Sequence, residues 1–212
     1  MRVLVATPVA KTVEERYCHS LFGLCKYETA RGTDLDVVLQ RGPRIHHNRN
    51  EFARQFLAEG YEWLLQIDMD VAFPMDTLQK FLAHGKDVVF GMYVLNMGKR
   101  LHASFYEMNE KKRYAPIGAF GDGLIEIDAG GTGLCLTHHT VMEAVEKLDY
   151  GDAFPWFDLT PTQGGWYSED FTFCQRIKEA GYKIYGDCDI ETGHIKDAFW
   201  NNKGLTKEQP NA

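Results

Sequence analysis

The sequence lacks any apolar run approaching the roughly 18 residues that a membrane-crossing helix requires, so no segment is expected to span a bilayer. Its opening residues, 1–8, imitate a signal peptide only briefly: the apolar stretch is too short and Pro8 closes it. Cysteine is sparse and unpatterned. Cys18, Cys25, Cys135, Cys174 and Cys188 are odd in number and form no C-x-x-C, which argues against a disulfide framework and for reduced thiols in a cytoplasmic compartment. Positive charge is in deficit, 23 Lys and Arg against 30 Asp and Glu, for a formal charge of -7. A uniformly basic nucleic-acid binder is therefore not expected, although a metal or a few arginines could still hold a phosphate locally. There is no internal repeat, low-complexity tract or Pro/Ser-rich linker. What is present is ordinary globular material, 44% apolar and 25% charged, in 212 residues, the length of one large domain.

The hydrophobic pattern alternates strand and helix through the first part of the chain. Arg2 to Thr7 reads as a buried strand ended by Pro8. Thr12 to Tyr27 reads as a helix, Asp36 to Gln40 as a strand, Asn48 to Ala58 as a helix stopped by Gly60, and Glu62 to Asp68 as a third strand. A short helix over 75–83 and a strand over 87–94 follow. This alternation predicts an α/β fold with a mostly parallel sheet and helices on both faces. Later segments, 101–107, 123–128 and 133–137, read as strands without intervening helices, so the second half is expected to hold a smaller antiparallel part. Helices over 140–148 and 168–180 and an extended stretch over 182–190 complete the pattern.

Three acidic or imidazole motifs carry the chemistry. The apolar strand Trp63-Leu64-Leu65-Gln66-Ile67 ends in Asp68-Met69-Asp70. Ligands of open α/β sheets bind at such strand ends, and in an extended chain Asp68 and Asp70 point the same way. Two adjacent carboxylates are costly without a positive partner, and Mg²⁺ or Mn²⁺ shared with a diphosphate supplies one. Second, Ser168 is a suitable N-cap for a helix whose first turn carries Glu169 and Asp170. The approach Gln163-Gly164-Gly165-Trp166-Tyr167 offers a substrate wall, and Asp170 a general base if burial beside Trp166 offsets the helix dipole. Third, Gly193-His194 ends the last extended stretch, with His194 a candidate metal ligand that leans the choice towards Mn²⁺.

Two further features are less specific. Ala129-Gly130-Gly131-Thr132-Gly133 either lets a ligand lie against the backbone or makes a tight turn; it matches neither G-x-G-x-x-G nor a P-loop. Arg41, Arg44, His46, His47 and Arg49 form a basic cluster, of which Arg49, close to a helix start, is favoured as a phosphate contact.

In this order the motifs resemble the GT-A-fold glycosyltransferases, small family-2-like members in particular, over roughly Arg2 to Ile195. The resemblance implies a Rossmann-like GT-A fold and one catalytic domain over 1–212: a nucleotide-binding half (1–95), an acceptor and catalytic half (96–200) and a tail (201–212). It implies transfer of a sugar from a nucleoside-diphosphate sugar, a UDP-sugar first, to an acceptor hydroxyl with inversion, aided by Mn²⁺ or Mg²⁺. Thr7, Pro8, Arg49, Asp68, Gly130, Gly131 and Thr132 then fall at donor-binding positions. Asp68, Asp70 and His194 fall at the metal. Asp170 falls at the base, with Glu169 beside it, and Trp166 and Tyr167 lie towards the acceptor, with the loops 96–100 and 150–167. Asn50 pairs with Arg49 in a donor-phosphate or structural role. The acceptor could be a glycan, a protein or a modified nucleic acid. Alternatives are a haloacid-dehalogenase-type phosphohydrolase, in which Ile67-Asp68-Met69-Asp70-Val71 would make Asp68 a nucleophile, a nucleotidyltransferase, and a nucleotide-sugar-binding protein without activity.

Overall fold

The computed structural model describes residues 1–10, 12–42, 44–96, 101–110, 113–118, 121–150, 153–162, 165–195 and 199–201, the last three by backbone alone. Gln163, Gly164, residues 97–100 and residues 202–212, named above within candidate loops and the tail, lie outside the described residues. The elements run β1 (Arg2–Val9), α1 (Glu15–Ala30), β2 (Asp34–Arg41), α2 (Ile45–Ala58), β3 (Trp63–Ile67), β4 (Val71–Ala72), α3 (Thr77–Ala83), β5 (Val88–Gly91), β6 (Val94–Asn96), β7 (Leu101–Ala103), β8 (Phe105–Met108) and β9 (Tyr114–Pro116). Then come β10 (Leu124–Ile127), β11 (Ala129–Gly130), β12 (Leu134–His138), α4 (His139–Glu146), β13 (Thr160–Thr162), β14 (Gly165–Tyr167), α5 (Glu169–Glu179), β15 (Ile184–Asp187), β16 (Gly193–Ile195) and β17 (Phe199–Asn201).

The central sheet has seven strands in the order β10-β15-β5-β12-β3-β1-β2. Strands β1, β2, β3, β5 and β15 run one way, and β12 and β10 run against them. Side chains alternate across this sheet and so build two cores. Val3, Val5, Leu65, Ile67, Val89, Leu134 and Leu136 meet α1 (Tyr17, Leu24) and α3 (Leu78, Phe81). Leu4, Ala6, Leu64, Val88, Phe90 and Cys135 meet α2 (Phe52, Phe56), α4 (Val141, Met142) and α5 (Phe173, Ile177). The remaining strands form small antiparallel sheets, which complete the expected α/β architecture.

Several boundaries differ from expectation. Pro8 does not end β1 but lies within it, opposite Gln40. It stands past Ala6–Gln66, the last β1–β3 pair, where β1 has only one neighbour and a missing N–H costs no ladder bond. The strand expected over 87–94 is two, because β6 leaves the main sheet to pair with β7. The adjacent place in that sheet goes to β12, which inserts antiparallel between β3 and β5. Its Leu134, Cys135 and Leu136 are all buried, and a strand apolar on both faces belongs in a sheet interior. Extended structure around Tyr182 to Ile190 is confined to β15, and Gly193-His194 opens a separate strand rather than closing that one. The helices stop as expected at Gly60 and Gly181, with φ of 69° and 88°.

The glycines of 130–133 do not make a left-handed turn; among the described residues none of them has positive φ. They make room for two rings. A Cβ at Gly130 would stand 2.6 Å from Phe90, one at Gly133 would stand 2.9 Å from Tyr93, and one at Gly131 would overlap the Tyr93 hydroxyl. The run is thus a socket for Tyr93 and Phe90. We expect Gly131→Ala to destabilise the protein by about 1–3 kcal/mol through overpacking. Tyr93→Phe removes the overlapping oxygen, so the double variant should recover much of that loss. Denaturant unfolding of both singles and the double tests this coupling; strictly additive losses would refute the socket.

Candidate functional site

The site grows from the end of β3. Alternation places Leu64 on the face towards α2 and α5, and Gln66 and Asp68 follow at two-residue steps. At Asp68 the strand stops. The Val71 N–H donates to the Asp68 carbonyl at 3.1 Å, closing a turn. The extended geometry that would aim Asp68 and Asp70 at one target is therefore absent, and the two carboxylates serve different neighbours.

Asp68 serves Arg49. On α2, Arg49 lies on the same stripe as the buried Phe52, Ala53 and Phe56, which turns its side chain inward to 1% exposure. One guanidinium nitrogen, Nη2, donates to Asp68 Oδ1 at 2.9 Å and lies 3.8 Å from Asp170 Oδ1. The other, Nη1, donates to Gln66 Oε1 at 3.2 Å and to the Thr132 carbonyl at 3.4 Å. The Thr132 hydroxyl donates to Asp170 Oδ1, and the Asp68 N–H donates to the Gly133 carbonyl at 2.9 Å. One fixed cation thus sits between two carboxylates, one from the end of β3 and one from the first turn of α5. Burial opposes Arg49's charge, yet Asp68, Asp170 and Glu169 outweigh it and raise its pKa. Arg49 does not present itself at the helix start for a phosphate, as expected above; the carboxylates consume it.

The carboxylates stay reachable. Side-chain exposure is 24% for Asp68, 24% for Asp170 and 18% for Asp70. Burial raises the Asp170 pKa, Arg49 opposes the shift and Glu169 adds to it. Asp68 is raised in the same way, by burial against the pull of Arg49, with Asp170 and Asp70 adding repulsion.

Asp70 serves His194. Strand β16 pairs with β4, placing His194 opposite Val71, and the Ile195 N–H donates to the Asp70 carbonyl at 2.8 Å. The His194 Nδ1 lies 2.7 Å from the Val94 carbonyl. A carbonyl only accepts, so Nδ1 donates to it, and in the neutral ring the lone pair lies on Nε2. Nε2 faces Asp70 Oδ2 at 3.6 Å, too long for a hydrogen bond. Asp70 and His194 thus converge as an O,N pair. Among the described residues no three His, Cys, Asp or Glu side chains cluster as a metal set, so the expected trio of Asp68, Asp70 and His194 reduces to this pair.

Ser168 occupies the N-cap of α5, yet its side chain makes no capping bond. Glu169 and Asp170 do stand in the first turn. Trp166 is 69% exposed and does not bury Asp170. Being consecutive in β14, Trp166 and Tyr167 point to opposite faces and form no common wall. Asp170 acts in turn on two residues that the motifs missed. The phenols of Tyr93 and Tyr106 are raised by burial first and then by the Asp170 charge. Tyr93 also stands against His194, ring centroids 5.2 Å apart. Gln66, likewise missed, had a signal: it is the one polar residue within Trp63–Ile67.

The remaining candidates fall elsewhere. Thr7 is fully buried and its hydroxyl is shared with that of Tyr17, whose pKa burial pushes up to about 12. Pro8 is buried beside it. Gly130 and Gly131 belong to the aromatic socket, and Thr132 to the hydrogen bonds around Arg49 and Asp170. The basic cluster disperses: Arg41 and Arg44 are exposed, while the His46 and His47 rings pack on Phe154. Asn50 is structural, donating to the His46 and Phe157 carbonyls at 2.7 Å each.

Comparison with known protein families and with curated protein sequences yields no match. Solved structures do match. The crystal structure of A197 from STIV is 19% identical, with a TM-score of 0.56 over 93% of this chain and 87% of that one. UDP-glucose pyrophosphorylase complexed with UDP-glucose is 9% identical, with a TM-score of 0.50 over 91% and 93%. A glycosyltransferase involved in the glycosylation of the major capsid of PBCV-1 is 14% identical, with a TM-score of 0.40 over 74% and 70%. At such identities likeness speaks of fold, and the first two establish it: the chain has a Rossmann-like α/β fold with a mostly parallel central sheet.

Proposed function

We propose that the protein is a metal-dependent glycosyltransferase. It moves a sugar from a nucleoside-diphosphate sugar, a UDP-sugar first, to an acceptor hydroxyl with inversion. The observation that carries this reading is the division of labour at the end of β3: Asp70 faces the lone pair of His194, while Asp170 is held separately by Arg49 and Thr132. Support for the donor class comes from the fold shared with a pyrophosphorylase complexed with UDP-glucose.

Four carboxylates, Asp68, Asp70, Glu169 and Asp170, meet one guanidinium here, a negative excess that favours a cation. Asp70 and His194 fit Mn²⁺ or Mg²⁺, which commonly takes few protein ligands and completes its shell with phosphate oxygens and water. When bound, the metal offsets the charge that builds on the departing diphosphate. Asp170 accepts the proton of the acceptor hydroxyl. The acceptor oxygen bonds to the anomeric carbon from the face opposite the leaving group, and the bond to the diphosphate oxygen breaks with its electron pair. Arg49 and the Thr132 hydroxyl fix the Asp170 carboxylate in place. A nucleophilic Asp68, as a phosphohydrolase requires, is disfavoured because its Oδ1 is engaged by Arg49.

Thermal-shift measurements with UDP, GDP and their sugars, each with Mn²⁺, Mg²⁺ or EDTA, should give a shift only with metal. Asp70→Ala and His194→Ala should abolish it; a shift that EDTA leaves intact for every nucleotide would count against metal dependence, and no shift at all against the whole reading. Asp170→Asn should retain donor binding and lose about 10²- to 10⁴-fold in transfer, or in donor hydrolysis with water as acceptor. Full activity in that variant would remove Asp170 as the base. The pH dependence has a definite sign. The base works deprotonated and its pKa is raised, so wild-type kcat/KM should fall on acidification at a pH above the ordinary carboxylate value of about 4. A profile flat down to pH 4 would contradict this.

A further inference from the structure

Beside Asp170 lie four aromatic rings that the transfer chemistry leaves unused. Phe171 follows Asp170 on α5. Tyr106 of β8 meets it edge-on, centroids 4.8 Å apart at 87°. Tyr114 of β9 stacks on it at 4.7 Å and 18°. Tyr167 of β14 reaches Tyr114 at 5.2 Å and Phe171 at 6.3 Å. Four separate elements thus bring their rings to one place, and all four rings remain half-buried. A patch of aromatic rings left partly open beside a carboxylate has the composition of a ligand wall. The cluster is also joined to the site, since the Tyr106 phenol senses the Asp170 charge.

We infer that these rings form the acceptor platform and that the acceptor is a neutral saccharide. This rests on the transferase reading and names its second substrate. A pyranose ring has a face of C–H bonds that lies on an aromatic face, whose quadrupole favours the positive edge of a partner. Its rim carries hydroxyls, for which the phenols of Tyr106, Tyr114 and Tyr167 and the carboxylates of Glu169 and Asp170 are partners. A hydroxyl directed at Asp170 is the nucleophile that transfer needs. Charge excludes the main rival. Among the described residues the carboxylates of Asp68, Asp70, Glu169 and Asp170 outnumber the one guanidinium among them, Arg49, which is 1% exposed, so a polyanionic acceptor such as nucleic acid meets net repulsion.

Saturation-transfer NMR on the full chain with UDP and Mg²⁺ tests this. The probes are the methyl glycosides of glucose, galactose, mannose and N-acetylglucosamine, then cellobiose and maltose, with a Ser/Thr-rich peptide and a DNA oligonucleotide alongside. Saturation should reach one C–H face of at least one saccharide. Tyr114→Leu and Tyr167→Leu, which keep apolar bulk but lose the ring face, should weaken that binding about tenfold or more. Both should still unfold cooperatively, with a melting temperature lowered by the lost ring contacts, and keep the UDP-dependent shift. The inference is overturned if no saccharide is saturated, if both variants bind it as wild type does, or if only peptide or oligonucleotide responds. UDP signals in the same samples separate the two failures: UDP bound without saccharide sinks the platform alone, whereas UDP unbound sinks the nucleotide-sugar reading itself.

Discussion

A single guanidinium organises the site. Arg49 is buried between Asp68 and Asp170, with Gln66 and the Thr132 carbonyl taking its second nitrogen. A buried cation without partners would cost several kcal/mol, so helix α2, strand β3, the glycine run and helix α5 must arrive together for the arrangement to be tolerable. Each supplies one group that the others need. Asp68 alone would face Asp70 and Asp170 uncompensated; Arg49 alone would be an ion in an apolar stripe beside Phe52 and Phe56. The same pairing fixes two carboxylates that come from segments about a hundred residues apart in the chain.

The surrounding fold makes that convergence possible. Strand β12, inserted between β3 and β5, carries the glycine run to the end of β3, where the Gly133 carbonyl accepts from the Asp68 N–H. Tyr93, just beyond β5, fills the space that Gly131 and Gly133 leave and lies against His194. The short pairing of β4 with β16 then ties the backbone after Asp70 to that of His194. Glycine here serves side-chain packing, and packing sets the distances among the polar groups. A Cβ at Gly131 would therefore be felt at the imidazole without touching it.

Local sequence made some of this legible and not the rest. Apolar alternation located the strands of the main sheet, and the Asp68-Met69-Asp70, Glu169-Asp170 and Gly193-His194 motifs named carboxylates and an imidazole that the fold gathers at one end of the sheet. Periodicity carries no information about which strand lies beside which, so the place of β12 was hidden. The i, i+2 rule assumed extended backbone at Asp68, and a turn closed by the Val71 N–H broke that assumption. Trp166 and Tyr167 were read as one wall, but the period of a strand sets them on opposite faces. Arg49 was noticed for its charge, while its burial followed from a helical stripe with Phe52, Ala53 and Phe56, a pattern that was available in the sequence. Tyr93 offered no such signal, since its importance lies in a contact with glycines about forty residues away.

The split between Asp68 and Asp70 has a consequence for how the two halves of the site communicate. Asp68 is two residues from Asp70 and shares Arg49 with Asp170. A cation arriving at Asp70 and His194 would lower the negative potential at Asp68 and so weaken the demand that Asp68 makes on Arg49. The guanidinium would then be held more firmly by Asp170, its other partner at 3.8 Å in the present arrangement. A carboxylate drawn to a cation is a weaker base but a better oriented one, and Arg49 moves neither far nor freely because Gln66 and Thr132 hold its other nitrogen. Electrostatic linkage of this kind runs through one buried side chain and needs no movement of a loop. On the proposed reading it would make cation occupancy at Asp70 and His194 and the state of Asp170 interdependent, and by reciprocity the charge on Asp170 would influence how tightly the pair held a cation.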